Sequence, residues 1–458
     1  MATFWNKFNE IISFLWGAPL TILVVGFGLY ITVRTGFFQI TGIKLWWKKT
    51  VGELFSKTKN SNNGLEGQLT PRQAISTVLA GTVGSGNIAG VASAIAIGGP
   101  GSVFWMWIIA IVGMITKMCE VSLAVAFRKK GEDGEYYGGP MYYMKENLGK
   151  FGITLAFIYG VAFFIDVIVN IGLAQMNTLA TCVNDVFNIP TIVIAIGLLL
   201  ISVIIISFGG INRIGKVCNA FVPIMIVVYI IACVGVVVTN IERVPEAFGL
   251  IFKYAFAPAP AVGGFVGSTI SLTIGRGTAR GIYSNEAGIG VAGSIHATAK
   301  TDDPVHQGMF GIFEVFIDTI IVCTLTALTI ICSGVWSNGS TGVVLTFDGF
   351  RTVWGNVGSY ILCIAVFLFC YSSYIGCYIE YRTSASYIFG EKSVKYLKYL
   401  YYIIPIIAVT LDVEQVWSLA DLSIGFLVVP NIIALILLSP KFLKMFKSYI
   451  SKCKEENI

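Results

Sequence analysis

The sequence predicts an all-α membrane protein of eleven spans, with one motif repeated five spans apart in opposite orientation. Three observations lead there. Of 458 residues, 55% are apolar and only 12% charged, whereas a soluble chain carries about 25% charged residues. Apolar blocks recur at roughly the 20-residue length that a helix needs to cross hydrocarbon. A glycine-rich motif inside the second block returns inside the seventh.

The blocks fall at 14–34, 73–97, 102–127, 153–183, 190–208, 215–239, 263–298 (interrupted), 308–333, 358–388, 397–411 and 415–438. The first, Phe14 to Val33, shows no small-residue cleavage pattern and runs on into RTGFFQITGIKLWW, so it reads as a retained helix rather than a signal peptide. The spans group as an extra helix (14–34), a first half (73–239), a second half (263–438) and a basic tail (439–458). Ten cysteines lie almost entirely within apolar blocks, without CxxC or metal spacing; they are expected to pack, not to pair.

The connections test the count. With the N-terminus outside, 26 of the 31 Lys and Arg residues fall on the inner side, Arg276 and Arg280 among them. Lys7, Arg243, Lys253 and Arg351 fall outside, and Lys117 lies within a span. Positive residues mark the cytoplasmic side, so the C-terminus is placed in the cytoplasm of a multi-pass cell-membrane protein. The net charge of +6 then belongs to the inner membrane surface and does not indicate a nucleic-acid partner.

Thr82-Val83-Gly84-Ser85-Gly86-Asn87-Ile88-Ala89-Gly90 and Thr273-Ile274-Gly275-Arg276-Gly277-Thr278-Ala279-Arg280-Gly281 both follow T-[V/I]-G-x-G-x-x-x-G. The copies stand five spans apart, so they run in opposite directions. Glycine-interrupted spans at matching places in inverted halves point to a transporter binding site; the competing reading is close helix packing through small residues. Each glycine costs a helix about 1 kcal/mol, and irregular backbone is tolerated at membrane depth only where it lines a cavity or is buried in protein. A break there frees N–H groups at the start of the following half-helix for an anion, and carbonyls of the preceding half-helix for a hard cation.

TVGSGNIAGVA (Thr82 to Ala92), GGPGSVFWMW (Gly98 to Trp107), ARGIYSNEAGIG (Ala279 to Gly290) and GIFEVFIDTIIVCTLTAL (Gly311 to Leu328) resemble the alanine/glycine:cation symporters, also called amino acid carrier proteins. The resemblance implies a LeuT-type fold, with ten core helices in a 5+5 inverted repeat plus one N-terminal helix. It implies a monomeric transport unit that imports a small neutral amino acid with Na+. By the same resemblance, the substrate carboxylate would sit on the amides of Ser85 and Gly86. Thr82 and Asn87 would meet a second sodium or the substrate. Sodium would bind the carbonyls of Ala80 and Val83 with the hydroxyls of Ser372 and Ser373, although adjacent hydroxyls also bond back to their own helix. Ser271, Thr273 and Gly275 would meet the substrate's amino group or side chain. Gln175 and Asn177, polar in mid-span, need partners; Gln175 is favoured as a substrate contact over a helix-to-helix bond.

The chain departs from the family where SSYIGCYIEYR places Cys377 in the position of a tryptophan. The smaller residue is expected to leave room for substrates such as glutamine or serine. Lys117 with Glu120 on span 3, Glu314 with Asp318 on span 8, and Asp166 on span 4 are intramembrane charges, hence candidates for gating or for structural ion pairs. Lys117 can satisfy itself locally with Glu120 at i,i+3. Arg276 and Arg280 are expected at the cytoplasmic exit or snorkelling at the interface. Enzyme chemistry is not expected: the only histidines, His296 and His306, lack metal-ligand companions, and the glycine loop follows no strand. Alternatives are proton coupling, or an ion channel, which requires carbonyl or charge rings around an open pore.

Overall fold

In hydrocarbon a backbone must satisfy its own hydrogen bonds, and the computed structural model is helical over most of its apolar blocks. It describes residues 10–456 apart from 13, 17, 53–67, 133, 208–209 and 302; Lys7, Lys57 and Lys59 of the charge tally therefore lie outside the described residues.

The helices that matter here are α1 (Ala18–Arg34), α2 (Pro71–Thr82), α3 (Val91–Gly98) and α4 (Ser102–Ala126). α5 (Gly149–Asp166) continues through a π-helical stretch, Val167–Ala174, into α6 (Gln175–Phe187). There follow α7 (Thr191–Ser207), α8 (Gly210–Thr239), α9 (Val244–Phe256), α10 (Ile270–Asn285) and the short α11 (Gly293–His296). α12 (Pro304–Val315) joins α13 (Thr324–Cys332) through the π-helical Phe316–Cys323. α14 (Gly342–Gly376), α15 (Tyr378–Phe389), α16 (Val394–Ala408) and α17 (Val413–Glu455) complete the chain.

Helix covers most of each expected span, span 7 being the exception. Among the described residues, six helices are long and apolar enough to cross a membrane, seven with the bent pair Arg72–Thr82 and Gly86–Gly98; the other expected spans coincide with shorter or broken helices. The start of the basic segment 439–458 continues α17, which runs to Glu455. Apolar side chains such as Phe157, Leu200, Ile231 and Val238 face outward, as a surface bathed in lipid requires.

The connections collect at two ends. At the end where the chain begins, Trp16 Nε1 donates to Asp421 O at 2.8 Å and Gly264 N to Ser337 O at 2.6 Å. At the opposite end, Leu69 N donates to Thr298 O (3.1 Å), Lys300 N to Leu69 O (2.8 Å), and Arg128 Nη1 to the carbonyls of Ala297 and Ala299. A hairpin, β1 (Lys129–Lys130) with β2 (Tyr136–Tyr137), closes over that end, and Glu135 beside it pairs with Arg382.

Span 2 breaks where the glycines predict. α2 starts on a capping box: Thr70 and Gln73 each accept the other's backbone N–H, and Pro71 stands at the first turn. It stops at Val83, whose backbone is extended (φ −79°, ψ 94°); the chain re-enters helix at Gly86 with a bend of 45°.

Span 7 departs from expectation. Residues 263–269 are not helical, and α10 runs unbroken through the second motif copy. The break comes later, at 286–292, where Glu286 (φ 56°), Gly288 (φ 93°) and Gly290 (φ 88°) adopt left-handed backbone. The glycines of the second copy serve packing instead. A Cβ on Gly277 would stand 2.4 Å from Ser102 O, and one on Gly281 3.2 Å from Ile109 Cγ2, both on α4. Arg276 and Arg280 therefore lie at the end where the chain begins, opposite to their expected side.

Candidate functional site

The two breaks meet. A Cβ on Gly86 would lie 2.8 Å from the Tyr283 ring and 3.3 Å from Ser284 Cα, so only glycine lets these backbones approach. The segment Val83–Ser85 is held from both sides: Gln175 Oε1 accepts Ser85 N at 2.9 Å, and Asn87 Oδ1 accepts Gly84 N at 2.9 Å. Asn87 Nδ2 donates to Asp318 Oδ1 (2.5 Å) and to its carbonyl (3.2 Å). Ser284 and Thr319 hydroxyls donate to Asp318 Oδ2 at 2.8 and 2.7 Å. The π-helical Phe316–Cys323 thus presents a carboxylate to both breaks, a use to which such stretches are often put.

Beside it stands a buried ion pair. Lys117 Nζ is paired with Glu314 Oε1, lies 3.9 Å from Glu286 Oε2 and donates to Asn285 O at 2.7 Å. Glu314 also accepts from the Thr82 hydroxyl and lies 3.3 Å from His296 Nε2. The expected local pair of Lys117 with Glu120 does not form. Glu120 instead accepts from Asn431 Nδ2 at 2.6 Å, and that amide is itself held by Tyr143. The rigid course of α4 sends the two side chains to different neighbours.

The hydroxyl pair divides. Ser373 Oγ donates to Gly81 O at 2.8 Å, facing α2. Ser372 turns away, towards Phe369 O (3.1 Å) and Met225 Sδ (3.3 Å), because adjacent helical residues point about 100° apart. Ala80 and Val83 are fully buried on the same half-helix as Gly81. Cys377 is fully buried against α2: its sulfur sits 3.0 Å from where a Cβ on Gly81 would stand. Tyr374, Tyr378, Tyr381 and Tyr401 stack nearby, Tyr374 and Tyr401 at 4.5 Å between centroids.

Ser271, Thr273 and Gly275 are not brought to the breaks. Thr273 donates to Gly98 O at 2.7 Å, while Ser271, Gly275 and Arg276 line a shallow pocket of about 340 Å³ with Ile12 and Trp16. Asn177 is tied to the carbonyls of Ala408 (2.8 Å) and Leu411 (3.0 Å), a helix-to-helix bond. Asp166 accepts from Ser423 at 2.6 Å.

A cavity of about 740 Å³ opens at the end where the chain begins, lined in part by Ser93, Thr178, Asp185 and Trp336 and reaching Arg280 and Trp417. Arg280 pairs with Asp421 at 2.7 Å and lies over the rings of Trp417 and Tyr283; those rings are 5.0 Å apart. The hydroxyls of Ser85 and Tyr283 are buried without a hydrogen-bond partner among the described residues. Buried hydroxyls of that kind normally find one. Among the described residues no group of three or more His, Cys, Asp or Glu is placed to hold a metal ion.

Paired helix breaks beneath a cavity form a transporter architecture, and the model of the Sodium:alanine symporter family matches residues 1–458. The chain belongs to that family. It is 35% identical to the sodium/alanine symporter AgcS of Methanococcus maripaludis, over 98% of each chain. It is also 35% identical to the probable sodium/glutamine symporter GlnT of Bacillus subtilis, over 96% of this chain and 89% of that one. Its fold is similar to that of MhsT in complex with L-phenylalanine, with a TM-score of 0.59, 12% identity, and coverage of 82% of this chain and 90% of that one. The family member described here is thus a mostly helical, multi-pass membrane protein with a LeuT-type fold, and its relatives are transporters.

Tyr283, Asp421 and Trp417 escaped the sequence reading. Each is one polar or aromatic residue in an apolar block, and their convergence depends on how α10 and α17 cross.

Proposed function

We propose that this protein imports a small neutral amino acid together with sodium by alternating access, with the end where the chain begins facing outward. The observation that carries this reading is the close approach of Gly86, at the first helix break, to Tyr283 and Ser284 in the last turn of α10, just before the second break. The substrate carboxylate binds the amides of Ser85 and Gly86, where helix N-terminal N–H groups favour an anion. Gln175 Oε1 accepts the Ser85 amide at 2.9 Å and yields it to the carboxylate. Sodium binds between the carbonyls of Ala80 and Val83 and the Ser373 hydroxyl, oxygen donors suited to a hard cation. The Arg280–Asp421 pair with Trp417 and Tyr283 forms the outer closure, and the contacts of Leu69 and Arg128 with residues 297–300 form the inner one. The printed names of the two relatives, one for alanine and one for glutamine, support a neutral amino acid as cargo.

The test is uptake by proteoliposomes of a panel containing glycine, alanine, serine and glutamine, with and without an imposed sodium gradient. Saturable uptake that requires the gradient is expected. Conductance without any amino acid would replace the symporter with a channel, and uptake driven equally by a proton gradient alone would replace sodium.

A further inference from the structure

We propose that the Lys117 ammonium is a resident cation at the crossing of the two helix breaks, so that each cycle carries one sodium per amino acid rather than two. The inference rests on the sodium-coupled reading above and adds the stoichiometry and the residue that sets it.

In broken-helix transporters, carried cations bind freed carbonyls at the C-terminal ends of half-helices, where the helix dipole places partial negative charge. Here one such end meets Lys117 directly, and the other is tied to it through Glu314. Lys117 Nζ donates at 2.7 Å to the carbonyl of Asn285, the last residue of α10. Its partner Glu314 accepts from the hydroxyl of Thr82, the last residue of α2. Glu286, the first residue past α10, places a carboxylate oxygen 3.9 Å away. Carbonyl and carboxylate oxygens are the donor set of a hard cation, and the ammonium occupies their centre.

The lysine is built in. It has no exposure, and α12 packs on it through Gly311, where a Cβ would stand 3.2 Å from Lys117 O and 3.3 Å from its Cγ. Unlike sodium, it cannot leave with the substrate. Asn87 spends its side-chain amide on Asp318. The half-helix carbonyls facing Ser373 remain as the place for a mobile ion. A lysine that only held the helices together would need one carboxylate; this one ties the ends of both half-helices to the same charge.

The experiment measures radiolabelled sodium and amino acid entering the same proteoliposomes. The wild type is expected to give a flux ratio of about one, with a Hill coefficient for sodium of about one; a ratio of two overturns the proposal. Lys117→Gln leaves Glu314 and Glu286 facing an empty position and is expected to raise both values towards two. Lys117→Gln with Glu314→Gln removes the site and is expected to return them to about one. A folded Lys117→Gln that keeps the wild-type ratio overturns the proposal, since a purely structural lysine would leave stoichiometry unmoved. Should that variant not fold, the wild-type ratio decides. Absence of any sodium-driven uptake in the wild type would remove the coupling reading itself, whereas driven uptake with a ratio of two removes only the role given to Lys117.

Discussion

Gln175 and Ser85, ninety positions apart in the chain, meet through a 2.9 Å hydrogen bond from the Ser85 amide to the Gln175 side-chain oxygen. The glutamine thereby occupies an N–H group assigned to the substrate carboxylate. Gln175→Glu would place a permanent anion there, and apparent substrate affinity should fall by about tenfold or more, equivalent to about 1.4 kcal/mol. Gln175→Ala should stay within about threefold of wild type (roughly 0.7 kcal/mol). Competition binding on both variants checks this. Equal losses in the two would mean that Gln175 acts by packing rather than by shielding the amide.

The serine pair separates a sodium ligand from a bystander. Ser373→Ala removes the hydroxyl that faces Gly81 and should raise the half-saturating sodium concentration about tenfold, as loss of one oxygen donor implies. Ser372→Ala, whose hydroxyl faces Phe369 and Met225, should leave sodium dependence unchanged. Sodium titration of uptake decides the matter, and the reverse pattern would move the site to the other side of α14.

The Arg280–Asp421 pair lies beneath the cavity with side-chain exposures of 7% and 9%. Asp421→Asn leaves a nearly buried guanidinium uncompensated, which for fully buried pairs costs about 3–5 kcal/mol and less at this partly wet position. Uptake should fall, and a cysteine at Ser85 should react faster with a membrane-impermeant thiol reagent applied from that end. Exchanging the charges, Arg280→Asp with Asp421→Arg, should recover part of the uptake. Unchanged reactivity in Asp421→Asn would deny the pair any closing role.

Cys377→Trp should not narrow substrate choice, contrary to what the sequence alone suggested. The sulfur already faces Gly81 closely, 3.0 Å from where a Cβ there would stand, so an indole there would push on α2. Overpacking of this kind costs about 1–3 kcal/mol. Loss of thermal stability in detergent, with unaltered relative preference among glycine, alanine, serine and glutamine, is the expected result. A stable variant with a narrowed preference would restore Cys377 to the substrate pocket.

The sequence by itself determined the features that arise within a few residues. Residence in lipid follows from composition. The break after Thr82 was foreseen from glycines that each weaken the helix by about 1 kcal/mol, and α2, started by the Thr70–Gln73 capping box, ends there. What glycine does in the second copy was not local. Gly277 and Gly281 have the same spacing as their counterparts, yet α4 lies against them and keeps α10 helical. The break moved to Glu286, Gly288 and Gly290. Nor could the chain order reveal that Lys117 would bypass Glu120, one turn away, for Glu314, or that Arg280 would find Asp421 at the opposite end from its expected side. A helix fixes the direction in which each side chain points, but the group it meets belongs to another helix. Only the crossing of α4, α10, α12 and α17 decided which buried charges stand within hydrogen-bonding reach.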